Sequence, residues 1–360
     1  MKDKYFNRET ITDFAEEVKR VYTDFDSVEF VDKVIGYGFF NLELKARMRK
    51  VSTTLGKFLP KDYEEAIDLL NKVKDNYKKD GFLGMVFPDF VEVYGIDYFD
   101  ISIKALEKYT KGASSEFAVR PFIIKYEERM MKQMYDWSNN KDEEVRRLAS
   151  EGLRPSLPWA EALVEFKKDP TPILPILENL KKDESTYVRK SVANNLNDIS
   201  KTHPNIVIKI AKEWYGENDN TDWIVKHACR TLLKQGIPEV LEIFGFQDSD
   251  ISISDFTIFK NKIRLGESID FSFSISSTKE AKVRLEYFID FMRANGKQRR
   301  KIFQISEVVL KANETREYTK KYDFISLSTR NHYVGEHSIA VIVNGITQEK
   351  LDFEVISGDE

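Results

Sequence analysis

The hydrophobic period of this chain changes once, near residue 246, and that change limits the fold more than any other feature. From Asn7 to about Phe246, apolar residues recur every three or four positions. Ile11, Phe14, Val18 and Val21 form one stripe, Met48, Val51, Leu55, Phe58 and Leu59 a second, and Ala66, Leu69, Leu70, Val73 and Tyr77 a third. Residues at that spacing share one helix face, so each stripe predicts an amphipathic helix. Pro60, Gly81, Gly95, Gly112, Pro170, Pro172, Pro204 and Gly216 punctuate them, as helix breakers do. Beyond Phe246 the period is two: Ile251 and Ile253; Ile269, Phe271, Phe273 and Ile275; Val283, Leu285, Tyr287 and Ile289; Ile339, Val341 and Val343. Alternation predicts strands. With turn pairs at Asn295-Gly296, Asn313-Glu314 and Asn344-Gly345, about seven strands suggest an immunoglobulin-like sandwich without its disulfide. The expected organisation is multidomain, all-α over 1–246 and all-β over 247–360.

A weak repeat runs through the helical part. Val145-Arg146, Val188-Arg189 and Val225-Lys226 each follow acidic residues, and each valine has a leucine eight positions on, at Leu153, Leu196 and Leu233. The valines lie 43 and 37 residues apart. Helix pairs at this spacing, with acids where the helix dipole favours them, read as HEAT-like repeats stacked into a curved solenoid whose concave face is the usual binding face.

Composition narrows the function. With 360 residues, 41% hydrophobic and 12% aromatic, the chain suits two or three globular domains and not a disordered, collagenous or disulfide-stapled protein. Lys and Arg number 56 against 60 Asp and Glu, so a polyanion must be met by local patches and not by bulk attraction. No run approaches the roughly 18 uncharged apolar residues of a membrane helix. The charged start, Met1-Lys2-Asp3-Lys4-Tyr5, lacks the apolar core of a signal peptide, so a cytoplasmic protein without membrane contact is expected. Cys229 is the sole cysteine and reads as core. His203, His227, His332 and His337 are scattered, and neither GxSxG, HExxH, a zinc spacing nor a phosphate-binding glycine loop occurs. Neither metal nor cofactor is expected, which leaves carboxylates and aromatics for any chemistry.

The segment Ala149 to Ala160 gathers Glu151, Gly152, Arg154, Pro155, Pro158 and Trp159 between two helices. Glu151 stands six residues after its repeat valine and Asp198 ten after its own. The offset of four puts both carboxylates on equivalent faces of neighbouring helices. The plainer alternative is a solvated Glu151 and a core Trp159. Glu116 precedes a helix with Pro121 in its first turn and reads otherwise as a helix N-terminal acid. Cations cluster in two places: Lys45, Arg47, Arg49, Lys50 and Lys57 on one helix, and Arg293, Lys297, Arg299, Arg300 and Lys301 around the Asn295-Gly296 turn. Both could meet phosphates, with a charged sheet edge as the alternative for the turn. Arg330, in a polar loop, is a weaker candidate.

Three strings, FPDFVEVYG from Phe87, SSEFAVRPF from Ser114 and ASEGLRPSLPW from Ala149, together with Asn194-Asn195-Leu196-Asn197-Asp198, resemble the AlkC-type DNA glycosylases. These are HEAT-like-repeat enzymes that excise N3-methylated bases from DNA, some with a C-terminal immunoglobulin-like domain that touches DNA. The resemblance implies that Glu116, Glu151, Trp159 and Asp198 form the lesion-proximal cluster, and that Arg120 and Arg154, in the same strings, belong to the DNA-binding residues. It implies a double-stranded DNA partner containing 3-methyladenine, with 3-methylcytosine left open, and a monomer needing no protein partner. Ser156 departs from the pattern, where relatives carry a basic residue. The chemistry is compatible: a methylated cationic base needs no protonation to leave, and what remains is an oxocarbenium-like sugar and an attacking water, a demand that carboxylates meet. A non-catalytic HEAT-repeat scaffold binding a protein or structured nucleic acid is the alternative, since solenoids commonly serve as binding surfaces.

Overall fold

The computed structural model describes residues 2–77, 81–247, 250–325 and 331–358. It divides into two compact units, Met1–His203 with Gly216–Ala228, and Pro204–Tyr215 with Cys229–Glu360.

Among the described residues the first unit contains helices and turns only. Short polar side chains open the helices as expected of N-caps: Asn7 makes a capping box with Thr10, and Asp26, Asp62, Asp142 and Ser185 each accept a hydrogen bond from a first-turn backbone N–H. The helices Glu143–Glu151, Thr186–Ser200 and Asp219–Ala228 carry the repeat valines and pack against one another in that order. Val145 and Val188 are each the third residue of their helix, whereas Val225 is the seventh of its own. The first two repeats match at atomic detail. Arg146 Nη1 donates to the carbonyls of Asn140 and Lys141, and Arg189 Nη1 to those of Asp183 and Glu184, the residues six and five positions earlier in both cases. Arg146 also grips Asp183 of the next repeat through Nε at 2.6 Å and Nη2 at 3.1 Å. Between the two helices, Asn195 Nδ2 donates to the Ser150 carbonyl at 2.8 Å in buried space. These contacts fix how far one repeat sits from the next.

Among the described residues of the second unit three helices, Pro204–Trp214, Arg230–Lys234 and Pro238–Ile243, accompany eight strands: β1 (Ile251–Ile258), β2 (Lys262–Arg264), β3 (Ser268–Ser277), β4 (Ala281–Met292), β5 (Gln298–Leu310), β6 (Glu314–Asp323), β7 (Gly335–Val343) and β8 (Ile346–Ile356). One sheet has the order β1-β3-β6, the other β2-β8-β7-β4-β5. The strand beyond the expected seven is β2, three residues long and parallel to β8. It is too short to show alternation. Ile269, Phe271, Phe273, Ile275, Val283, Leu285, Tyr287, Ile289, Ile339, Val341 and Val343 form the sandwich core. The outer face of β4 departs from simple alternation, because Arg284, Glu286, Phe288 and Asp290 are buried as well. Phe288 packs on Ala340, Ile342 and Ile302, while Arg284 joins Glu286 and Glu307, both at 2.6 Å. Asn344 and Gly345 turn β7 into β8 at φ 47° and 79°, the two positive values that a tight hairpin turn demands.

Candidate active site

The helix Glu143–Glu151 ends where the chain must turn sharply. Gly152 follows it in helical conformation and has no room for a side chain: a Cβ there would come within 2.7 Å of Val119 Cγ2 and 3.0 Å of the Leu148 carbonyl oxygen. The turn brings Arg154 back under the helix. Arg154 Nη1 donates to Glu151 Oε1 at 2.7 Å, and its Nε donates to Asp198 Oδ2 at 2.9 Å. Lys201 takes the other oxygen of Asp198, Oδ1, at 2.8 Å. On the far side Arg147 joins Glu116 at 2.5 Å and Glu151 at 3.5 Å, and also donates to Ser114 Oγ at 2.9 Å. Three carboxylates and three cations thus alternate through the site. Burial opposes charge on Arg147, but Glu116 and Glu151 outweigh it and hold its pKa above the usual arginine value. The same balance, with Glu151 and Asp198 as the anions, raises Arg154.

A cavity of about 410 Å³ opens over this cluster, with Glu116, Arg147, Glu151, Arg154, Trp159 and Tyr187 in its wall. Trp159 is 65% exposed and adopts φ 63°, in the left-handed region. A bulky residue there costs about 1–2 kcal/mol of backbone strain, a cost typical of functional positions. Its carbonyl accepts from Lys45 Nζ at 2.7 Å, and Lys45 also lies 4.4 Å from the Phe117 ring centroid. Trp159 is therefore not core. Nor does Glu116 cap a helix: the helix Val119–Lys125 has no side-chain cap, and Glu116 pairs with Arg147 instead.

Several cations expected to meet DNA are engaged elsewhere. Arg120 is 2% exposed, donating Nε to the Glu161 carbonyl at 2.7 Å and Nη1 to the carbonyls of Gly152 and Arg154, both at 3.0 Å. It staples from within the loop that carries Arg154 and Trp159, and burial pulls its pKa down to about 10. Arg49 grips Asp89 with three bonds of 2.9–3.1 Å and also touches Glu92, so its charge is already matched. Arg154 is turned inward to two carboxylates. The physical reason is common to all three: a guanidinium fork satisfies buried acceptors as readily as phosphates. Sequence reasoning missed Arg147, Tyr187 and Lys201, although Arg147 precedes Glu151 by four residues and Lys201 follows Asp198 by three, the spacings of helical neighbours.

In the sandwich, the β4–β5 turn is closed by Arg293 N–H to the Lys297 carbonyl at 3.1 Å, with Gly296 at φ 70°. Lys297 and Arg299 are exposed. Arg300 forks onto Asp290 at 2.9 and 3.0 Å and lies 3.5 Å over Phe288, and Lys301 stands 5.2 Å from the Phe303 centroid. Arg293, Arg299, Arg300 and Lys301, with His332 and Tyr333, line a cavity of about 520 Å³. Arg330 falls outside the described residues. Among the described residues no cluster of His, Cys, Asp and Glu has the makings of a metal site, and no helix is long and apolar enough to cross a membrane.

A family model for the DNA alkylation repair enzymes matches residues 97–232, and the solved structure of Pseudomonas fluorescens alkylpurine DNA glycosylase AlkC, bound to DNA containing an abasic site analog, superposes with a TM-score of 0.94 at 36% identity, covering 98% of this chain and 99% of that one. The chain belongs to the AlkC family. A second model, for the C-terminal Ig-like domain of the uncharacterised protein YhaZ, matches residues 252–357. Bacillus subtilis YhaZ itself is 48% identical over 351 residues, 97% of this chain and 98% of that protein. The AlkC fold, a helical part followed by an Ig-like sandwich, is therefore the fold of this chain.

Proposed function

We propose that this protein is a DNA N-glycosylase that hydrolyses the N-glycosidic bond of cationic N3-methylated bases, 3-methyladenine first and with 3-methylcytosine left open, in base excision repair. The observation that carries the reading is Glu151. Its carboxylate lies in the wall of the open cavity, fixed through Oε1 by Arg154 and Arg147, while Oε2 has no hydrogen-bond partner among the described residues.

The C1′–N bond breaks with its electron pair passing to the base, which leaves neutral because methylation had made it a cation. Charge then develops on the sugar. Glu151 stabilises that charge and orients a water whose oxygen bonds to C1′ and whose proton passes to the carboxylate, as carboxylates do in glycoside hydrolysis. Glu116 supplies a second negative charge at the cavity wall. Asp198 is 4% exposed, with both oxygens on cations, so it acts by positioning Arg154, and through it Glu151. The exposed face of Trp159 meets the cationic base or its sugar, a contact worth about 0.5–2 kcal/mol. Lys45, at the rim, and Lys297 and Arg299, at the sandwich turn, are assigned to phosphates of duplex DNA. We place this activity in the cytoplasm, carried out by a monomer.

The test is release of free methylated base from a duplex carrying 3-methyladenine by the purified protein, with Glu151→Gln as control. No release by the wild type, with DNA or a protein still bound, would favour a scaffold instead.

A further inference from the structure

Ahead of the helix Leu44–Phe58 the chain runs Ile35-Gly36-Tyr37-Gly38-Phe39-Phe40-Asn41-Leu42, eight residues without a charge. Tyr37 is fully exposed at its tip and Phe40 is 52% exposed beside it. Gly38 sits at φ 83°, and a Cβ placed on it would meet no heavy atom within 4 Å, so the tip projects clear of the fold. The foot of this loop is fixed. Arg47 is fully buried and donates to the carbonyls of Phe40 at 2.6 Å, Leu42 at 3.1 Å and Phe6 at 3.0 Å, while pairing with Asp3 at 2.9 Å. Its guanidinium also faces the rings of Phe39 and Phe40 at 5.4 and 5.6 Å. A buried arginine thus anchors the foot of a loop that leaves the Tyr37 ring, and part of Phe40, in solvent.

Two lines of contact tie this pedestal to the rim of the active-site cavity. Lys45, two residues before Arg47, reaches the Trp159 carbonyl. Phe6, held by Arg47, follows Tyr5, which packs edge-on against Phe82, a cavity-wall residue, at 5.5 Å. Lys45 and Lys50 lie on the following helix, and Glu43, just before it, is paired with Lys2 at 2.7 Å. An aromatic face left in water is unfavourable unless something covers it, and for a protein that acts on DNA the flat partner suited to an exposed ring is an unstacked nucleobase.

We propose that Tyr37 stacks on an unstacked nucleobase of duplex DNA bent open next to the lesion, making the Gly36–Asn41 loop a second aromatic contact in addition to Trp159. This rests on the glycosylase reading for its ligand and extends it to a part of the chain outside the carboxylate cluster. The ring contacts a base and takes no part in the bond-breaking step.

The experiment uses the full chain and a duplex with an abasic-site analogue flanked by 2-aminopurine, whose fluorescence reports stacking. Tyr37→Ala is expected to weaken binding to this duplex about 5- to 100-fold, with much less loss on intact duplex, and to remove the 2-aminopurine quenching seen with wild type. Tyr37→Phe restores both. An unchanged melting temperature verifies that the surface variant is folded. Equal affinity and equal fluorescence for wild type and Tyr37→Ala, with wild-type base release intact, would overturn the stacking contact and leave the glycosylase reading standing. If wild type releases no base while Tyr37→Ala still loses affinity and quenching, the stacking contact stands and the glycosylase reading falls.

Discussion

Glu151 and Asp198, from neighbouring repeats, hold the same guanidinium: Arg154 gives Nη1 to the first at 2.7 Å and Nε to the second at 2.9 Å. Only Glu151 also faces the cavity. The two carboxylates are thus chemically alike and differently employed, and their amide variants should separate. Glu151→Gln removes charge without changing volume, so it should keep DNA affinity and lower single-turnover excision about 10²- to 10³-fold. Wild-type excision by this variant would rule out Glu151 as the water-orienting group.

Asp198→Asn should also lower excision, but with a second signature. It leaves Arg154 and Lys201 facing a neutral amide in a buried space, so the melting temperature should fall as well, by an amount corresponding to a few kcal/mol for a disrupted buried pair. Thermal melting beside excision kinetics distinguishes this from Glu151→Gln. A Tm equal to wild type with excision lost would make Asp198 a direct participant in the reaction.

The left-handed backbone of Trp159 offers a control seldom available at an active site. Trp159→Ala and Trp159→Gly both remove the ring and should both lose excision. Glycine alone relieves the strain, because it accepts φ near 63° without penalty. Trp159→Gly should therefore melt higher than Trp159→Ala. The reverse order in a thermal scan would show that the loop relaxes out of this conformation once the indole is gone.

At the sandwich turn the cations should divide into two classes. Neutralising Lys297 and Arg299 should weaken binding to any duplex and reduce the slope of log affinity against log salt by about 0.9 per lost contact. Arg300→Ala should leave the slope nearly unchanged and cost stability, since Arg300 is forked onto Asp290 and covers Phe288. A salt series on the two variants, with urea melts of each, checks both halves.

His337 predicts a pH dependence of the sandwich itself. Burial lowers its pKa, partly offset by its bond to the Tyr333 carbonyl. Its Nε2 lies 3.1 Å from that carbonyl while Nδ1 accepts from Met292 N–H at 3.4 Å, a pairing that only the neutral ring satisfies. Because the folded pKa lies below the unfolded value of about 6.5, the unfolded chain takes up the proton first. The stabilisation is complete above pH about 6.5 and is lost as pH falls through the folded value. Melting from pH 8 down to 5 should show the decline, and His337→Gln should flatten it.

Elements with a strong hydrophobic period are legible in the sequence. The repeat valines lie in stacked helices, and the offset between Glu151 and Asp198 did foretell that they converge. Side chains whose environment contradicts their usual preference were not legible. Arg47, Arg49, Arg120 and Arg154 look from sequence like surface charge, yet each is turned onto carbonyls or carboxylates far along the chain. No local pattern encodes such distant partners. The outer face of β4 hid for a similar reason: Arg284 and Glu286 alternate with apolar residues as solvent-facing positions would, but they satisfy each other in a buried pair.

The grip of Arg146 on Asp183 has a consequence for how this scaffold can tolerate change. The carboxylates that share Arg154 belong to two different repeats, so the spacing between those repeats is itself a dimension of the active site, and Arg146 and Asp183 set it from outside the cavity. A substitution there touches neither substrate nor catalytic group, yet alters the gauge to which the site is built. Natural variation at positions 146 and 183 should therefore be paired, and an inserted helical residue between the two repeats should silence the protein while leaving it folded.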